Sequence, residues 1–195
     1  MNLEQIKKWL NRFNKQIQEN KVYLIELDTP IGDADHGANM SRGMLAVMEE
    51  IEKQTPQTVS DVLKIAAMQL ISKVGGASGP LYGTAFLNMS KASDQSNNVI
   101  EWFKEGLAGI QKRGKADVGE KTMVDMWNFA INALNENNLT STSIDEFIEE
   151  SKQTKASKGR ASYVGERSIG HIDPGTFSSS LLFKAYIEVV GECDE

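Results

Sequence analysis

Along most of the chain, apolar residues return at intervals of three, four and seven, and this rhythm restricts the protein to packed amphipathic helices. Leu3, Ile6, Leu10, Phe13, Ile17 and Leu24 predict one long helix over residues 3–27. Val22 to Ile25 would read alone as a buried strand, but it continues the helical phase with no turn signal before it. Met40, Met44, Val47, Met48 and Ile51 predict a second helix that starts near His36 and stops before Pro56. Leu63, Ala66, Ala67, Leu70, Ile71 and Val74 predict a third, capped by Thr58 or Ser60. A fourth opens near Pro80, a residue suited to a first turn, and gives way to a polar linker from Lys91 to Asn98. Val99, Trp102, Phe103, Leu107 and Ile110 mark the fifth, and Met123, Trp127, Ala130 and Leu134 the sixth, over 121–134. A short seventh carries Ile144, Phe147 and Ile148 behind a Ser143 cap, and the last carries Leu181, Leu182, Ala185, Tyr186 and Val189. The expectation is an all-α fold, one domain over residues 1–195, with eight helices running up and down as an antiparallel bundle.

The connections are more informative than the helices. Between Leu27 and Arg42, Asp28, Asp33 and Asp35 share a loop punctuated by Pro30, Gly32 and Gly37. Carboxylates held this close raise one another's pKa, so the cluster calls for a counter-cation. An oxygen-only ligand set suits Mg²⁺ or Ca²⁺, and the spacing is not that of an EF-hand. The alternative is a solvated turn with Asp35 capping the next helix; it leaves Asp28 opposed to a helix dipole. The third helix runs into Gly75-Gly76-Ala77-Ser78-Gly79-Pro80, a small-residue loop feeding a helix N-terminus. It suits either an oxyanion cradle or close helix packing, and it lacks the lysine and glycine spacing of a P-loop. Lys112, Arg113 and Lys115 are accounted for by the dipole at a helix C-terminus, and Met123 by core packing. The stretch from Gly159 to Thr176 is long and glycine-rich; Arg160 and Arg167 suit phosphate there, or surface pairing with Glu166. These loops follow the first, third, fifth and seventh predicted helices, so an up-and-down arrangement gathers them at one end, which is the expected site.

Charge and cysteine usage narrow the function. Lys and Arg number 21 against 27 Asp and Glu, a formal net charge of −6, and the basic residues are scattered. A nucleic-acid partner is a poor fit, and an acidic protein that binds a nucleotide needs cations to bridge to the phosphates. No apolar run reaches membrane-spanning length, the first residues lack the apolar centre of a signal peptide, and one cysteine, Cys193, forms no internal disulfide. A reducing cytoplasm is the expected setting.

Taken in order, Leu27-Asp28 through Met40, Gly75 to Thr84, Arg113-Gly114-Lys115-Ala116, Gly119-Glu120-Lys121-Thr122-Met123 and Arg160 to Gly175 resemble the L subunits of dihydroxyacetone kinases, the nucleotide-binding subunits of the phosphoenolpyruvate-dependent bacterial enzymes. The similarity spans nearly the whole chain. It implies an eight-helix antiparallel barrel that holds ADP at one end through two Mg²⁺ ions. Asp28, Asp33 and Asp35 then fall at the metal ligands. His36, Gly37, Ala38, Asn39, Ala77, Ser78, Gly114, Met123, Arg160, Asp173, Pro174 and Gly175 fall at the nucleotide contacts, Gly114 and Met123 on the resemblance alone. It further implies a K subunit that binds dihydroxyacetone and a phosphohistidine-bearing M subunit of the phosphotransferase system that rephosphorylates the retained ADP. Single-chain kinases carry the same helical domain fused to a substrate domain; a chain ending at Glu195 favours the subunit form. Self-association as a homodimer is left open by the sequence.

Overall fold

The computed structural model describes residues 1–192; Cys193, on which the disulfide and compartment expectations rested, lies outside the described residues. Those residues form nine α-helices and one 3₁₀ helix, without a strand. The helices are α1 (Leu3–Glu19), α2 (Lys21–Asp28), α3 (His36–Gln54), α4 (Val59–Lys73), α5 (Ser78–Ser93), α6 (Val99–Gly114), α7 (Met123–Asn135), α8 (Ser141–Ser151) and α9 (Pro174–Gly191).

Helix starts are written locally. Thr58 caps α4, Asn98 caps α6 and Asp173 caps α9, each side chain accepting from a backbone N–H of the first turn, with Pro174 opening α9. Asn2 and Gln5 cap α1 reciprocally, as Thr122 and Asp125 do for α7. Three expectations are corrected. The predicted first helix is two, broken at Asn20, whose backbone and side-chain N–H groups both fold back on the Gln16 carbonyl. The cap of α8 is Thr140, exchanging hydrogen bonds with Ser143, so Ser143 belongs to the first turn. The linker expected from Lys91 is helical through Ser93.

From α3 onward each helix packs against the next, and α9 returns to α1 and α2, which closes the ring. Trp9 Nε1 donates to the Leu182 carbonyl at 2.8 Å across that seam. The interior is aromatic: Phe103 meets Trp9, Trp127, Phe183 and Tyr186 edge-on, with ring centroids 5.1–6.2 Å apart. No described helix is long and apolar enough to cross a membrane. The alternation of the chain leaves the starts of α3, α5, α7 and α9 at one end of the barrel.

The segment after α8 is not open loop. Arg160–Ser168 forms a 3₁₀ helix kinked at Gly165, where φ is +58°, a value that suits a residue without Cβ. We call residues 155–168 the cap. Ala156, Ala161 and Val164 on its underside pack on Ile31, apart from the main core.

Candidate functional site

A cleft of about 610 Å³ opens at this end of the barrel, within the range of small-ligand sites. Four helix starts line it, through His36 of α3, Ala77 and Ser78 of α5, Met123 and Val124 of α7, and Pro174 and Gly175 of α9. Each directs the positive end of its dipole inward, so the cleft favours anions. Leu81, Ile110, Ala116 and Met123 add an apolar flank, and Arg113, Lys158 and Arg160 bring positive charge.

Asp28, Asp33 and Asp35 stand at the edge of the cleft, one carboxylate oxygen of each within 4.8 Å of the others. Asp28 is buried, and its Oδ2 accepts from the backbone N–H of Asp35 at 2.9 Å and of His36 at 3.2 Å. The start of α3 is therefore capped by an aspartate of the preceding helix, while Asp35 occupies the N-cap position without a side-chain cap bond. This resolves the puzzle of Asp28: the dipole it answers is that of α3. A Cβ at Gly32 would lie 1.8 Å from Asp28 Oδ1, so the loop closes around that carboxylate only with glycine there. Asp35 is shifted up by burial and by the charges of Asp33 and Asp28, against a hydrogen bond to Asn39 that lowers it. The donors are all oxygen, converge, and repel one another; they fit hard divalent cations. Arg160 pairs with Asp33 at 3.1 Å, so the cap reaches the same loop.

His36 is buried, bonded through Nδ1 to Ser78 Oγ at 2.9 Å and through Nε2 to Ser178 Oγ at 3.0 Å. Tyr82 joins Ser178 and Ser179, and Trp127 Nε1 donates to Ser179, so a satisfied polar chain runs from the cleft into the core. Burial lowers the His36 pKa to about 4, leaving a neutral ring that positions Ser78. Asp173 caps α9 through Thr176 N at 2.7 Å, and burial raises its pKa to about 6.

Asp28, Asp33, Asp35, His36, Ala77, Ser78, Gly114, Met123, Arg160, Asp173, Pro174 and Gly175 all line the cleft. Gly37, Ala38 and Asn39 sit behind that lining on the first turn of α3. A Cβ at Gly37 would lie 2.2 Å from the Lys21 carbonyl, so this glycine lets α3 approach α2, and Asn39 accepts from Arg42. The glycine loop packs closely, since a Cβ at Gly79 would meet the Val74 carbonyl at 2.2 Å, and it turns Ala77 and Ser78 toward the cleft. Arg113, which dipole chemistry alone explained, also lines the cleft, and Lys158 and Ile31 join it without any signal in the sequence.

Residues 30–188 match the DAK2 domain family. The chain belongs to that family. This DAK2 domain is 56% identical over 182 residues, 93% of the chain and 95% of the relative, to the ADP-binding subunit DhaL of the PTS-dependent dihydroxyacetone kinase of Lactococcus lactis. It is 42% identical to the ADP-binding subunit DhaL of the PEP-dependent enzyme of Escherichia coli, covering 89% of the chain and 90% of the relative. Among solved structures, the dihydroxyacetone kinase of C. freundii in complex with AMP-PNP and Mg²⁺ superposes with a TM-score of 0.78 at 21% identity. That match covers 94% of this DAK2 domain and 33% of the longer kinase, and it bears on the fold alone.

Proposed function

We propose that the protein is the nucleotide-binding subunit of a phosphoenolpyruvate-dependent dihydroxyacetone kinase, working in the cytoplasm with ADP/ATP as a retained cofactor. The phosphohistidine of an M subunit rephosphorylates bound ADP, and the γ-phosphoryl then passes to dihydroxyacetone on a K subunit, giving dihydroxyacetone phosphate. The observation that carries this reading is the meeting of three convergent carboxylates with four helix N-termini in one cleft. An anion of high charge is favoured there, and cations would join the three carboxylates to it, beyond the helix cap that Asp28 forms and the Arg160 pair of Asp33.

Asp28, Asp33 and Asp35 would hold two Mg²⁺ ions, which when bound supply neutralisation of the phosphate oxygens. The backbone N–H groups at Ala77 and Ser78 would face the phosphates, and the first turn of α3, His36 to Asn39, would stand behind them with the positive end of its dipole. His36 stays neutral and keeps Ser78 in register, and Arg160 brings a guanidinium from the cap. Leu81, Ile110, Ala116 and Met123 form a slot for the base, with Gly114 allowing close approach, and Asp173-Pro174-Gly175 closes the far side. Phosphoryl transfer asks chiefly for position and charge, and no side chain of the cleft needs to act as a covalent nucleophile.

Native mass spectrometry and elemental analysis of the protein as purified test the reading. Wild-type protein is expected to carry a nucleoside diphosphate and divalent metal, and Asp35→Ala to lose both. Unchanged nucleotide occupancy in Asp35→Ala would overturn it, and steady ATP turnover by the isolated chain would point to a self-contained kinase.

A further inference from the structure

Lys121 stands between the Gly119 turn and the start of α7, in a left-handed backbone conformation with φ +59°. It is 2% exposed. Burying an ammonium is costly unless every donor is met, and here three carbonyls meet its three N–H groups: Thr154 and Ser168 at 2.8 Å and Lys152 at 3.3 Å. Lys152 and Thr154 precede the cap and Ser168 ends it, so one charge holds both feet of the segment. Two further bonds complete the base. Ala156 N donates to Ser168 Oγ at 2.9 Å, and Gly170 N donates to the Lys152 carbonyl at 2.8 Å.

What this base carries is the cleft wall. Lys158 and Arg160 lie on the cap, and the next residue after Lys121, Thr122, caps α7 and accepts from Thr176 Oγ1 of α9 at 3.0 Å. The other holds on the cap are slight by comparison: the Ile31 contact, the exposed Arg160–Asp33 pair, and the long bonds that Ser157 N and Oγ donate to Glu120 at 3.3 and 3.4 Å. We propose that Lys121 is a positioning residue whose ammonium clamps the two feet of the cap, and that this clamp sets how long nucleotide stays in the cleft. The inference rests on the nucleotide reading of the cleft for its second half and on the geometry of the base for its first.

The test measures nucleotide dissociation and association with a fluorescent ADP analogue in Mg²⁺, together with amide hydrogen exchange, on the full chain carrying Lys121→Met. The loss of a charged three-carbonyl contact is expected to speed dissociation roughly tenfold or more, with association little changed. Exchange is expected to rise in residues 155–168 while α1, α5 and α9 keep their protection. Wild-type dissociation in the variant, or exchange raised equally in every helix, would overturn the proposal. If Lys121→Met does not fold, Lys121→Arg decides by the same readings, because a broad planar guanidinium does not fit the buried point on which these three carbonyls converge without spreading the two feet. Faster loss with exchange confined to the cap supports the clamp, and wild-type values refute it. Should wild-type protein hold no nucleotide, the reading of the cleft fails, and the exchange measurement still decides whether Lys121 governs the cap.

Discussion

Gly32→Ala is the sharpest perturbation available to this fold. The added methyl would lie 1.8 Å from Asp28 Oδ1, 2.8 Å from its Cγ and 3.0 Å from its carbonyl oxygen. Backbone blocks one way out, so the carboxylate must swing off the loop. It then abandons the N–H groups of Asp35 and His36. A hydrogen bond to a charged acceptor contributes roughly 1.5–3 kcal/mol, and water at the cleft mouth recovers part of it, so about 2 kcal/mol is lost for the pair. For a chain of this size that lowers Tm by roughly 4–8 °C. The second effect is larger in kind: one of the three carboxylates proposed to hold metal is misplaced. A ligand present at a hundred times its Kd stabilises by about 2.7 kcal/mol, and this increment should vanish when the anchoring cations are lost. Differential scanning calorimetry with and without Mg²⁺ and ADP separates the two effects, with Gly191→Ala, where a Cβ meets nothing within 4 Å, as the control. A Gly32→Ala protein that keeps the full wild-type increment would refute the reasoning.

Two predictions concern pH. Asp173 has its folded pKa raised to about 6, so its neutral form is favoured in the fold; the associated stability is full below the ordinary carboxylate range and is lost as pH rises through 6. Asp173→Asn keeps a capping acceptor and removes the buried charge, so ligand-free Asp173→Asn is expected to be about 1–2 kcal/mol more stable than wild type at pH 7.5, after discounting for solvent in the cleft, and equal to it near pH 4. A difference that does not change with pH in chemical denaturation would count against this. His36 runs the other way: its folded pKa, lowered to about 4, contributes stability that is present above its ordinary value and lost as pH falls toward 4. His36→Asn should flatten the acid limb of the Tm profile between pH 6.5 and 4.5, and an unchanged slope would show that the ring titrates freely.

How much of this was legible follows from how local each feature is. The aspartate loop could be read because its three carboxylates lie within eight residues, and the one-ended gathering of loops follows from counting helices. The break at Asn20 was hidden because no glycine or proline marks it and the apolar phase runs through. Thr140 and Ser143 are both good caps, and only their reciprocal bonding distinguishes them. The cap has no apolar stripe to announce it; it is held from Lys121, whose carbonyl partners lie 31, 33 and 47 residues away. Lys158 reaches the cleft because contacts far away in sequence, the Lys121 anchor and the Glu120 bonds of Ser157, fold its segment inward. Asp28 was the instructive case: its position looked unfavourable at the end of one helix and is explained by the beginning of the next.

Because α9 both seals the ring against α1 and supplies Asp173, Pro174 and Gly175, the binding cavity has no partial form during synthesis. A growing chain that has not yet emerged through α9 lacks one wall and one of the four inward-facing dipoles. A ligand of this cleft is then held in full only after α9 has docked, so occupancy reports closure of the ring.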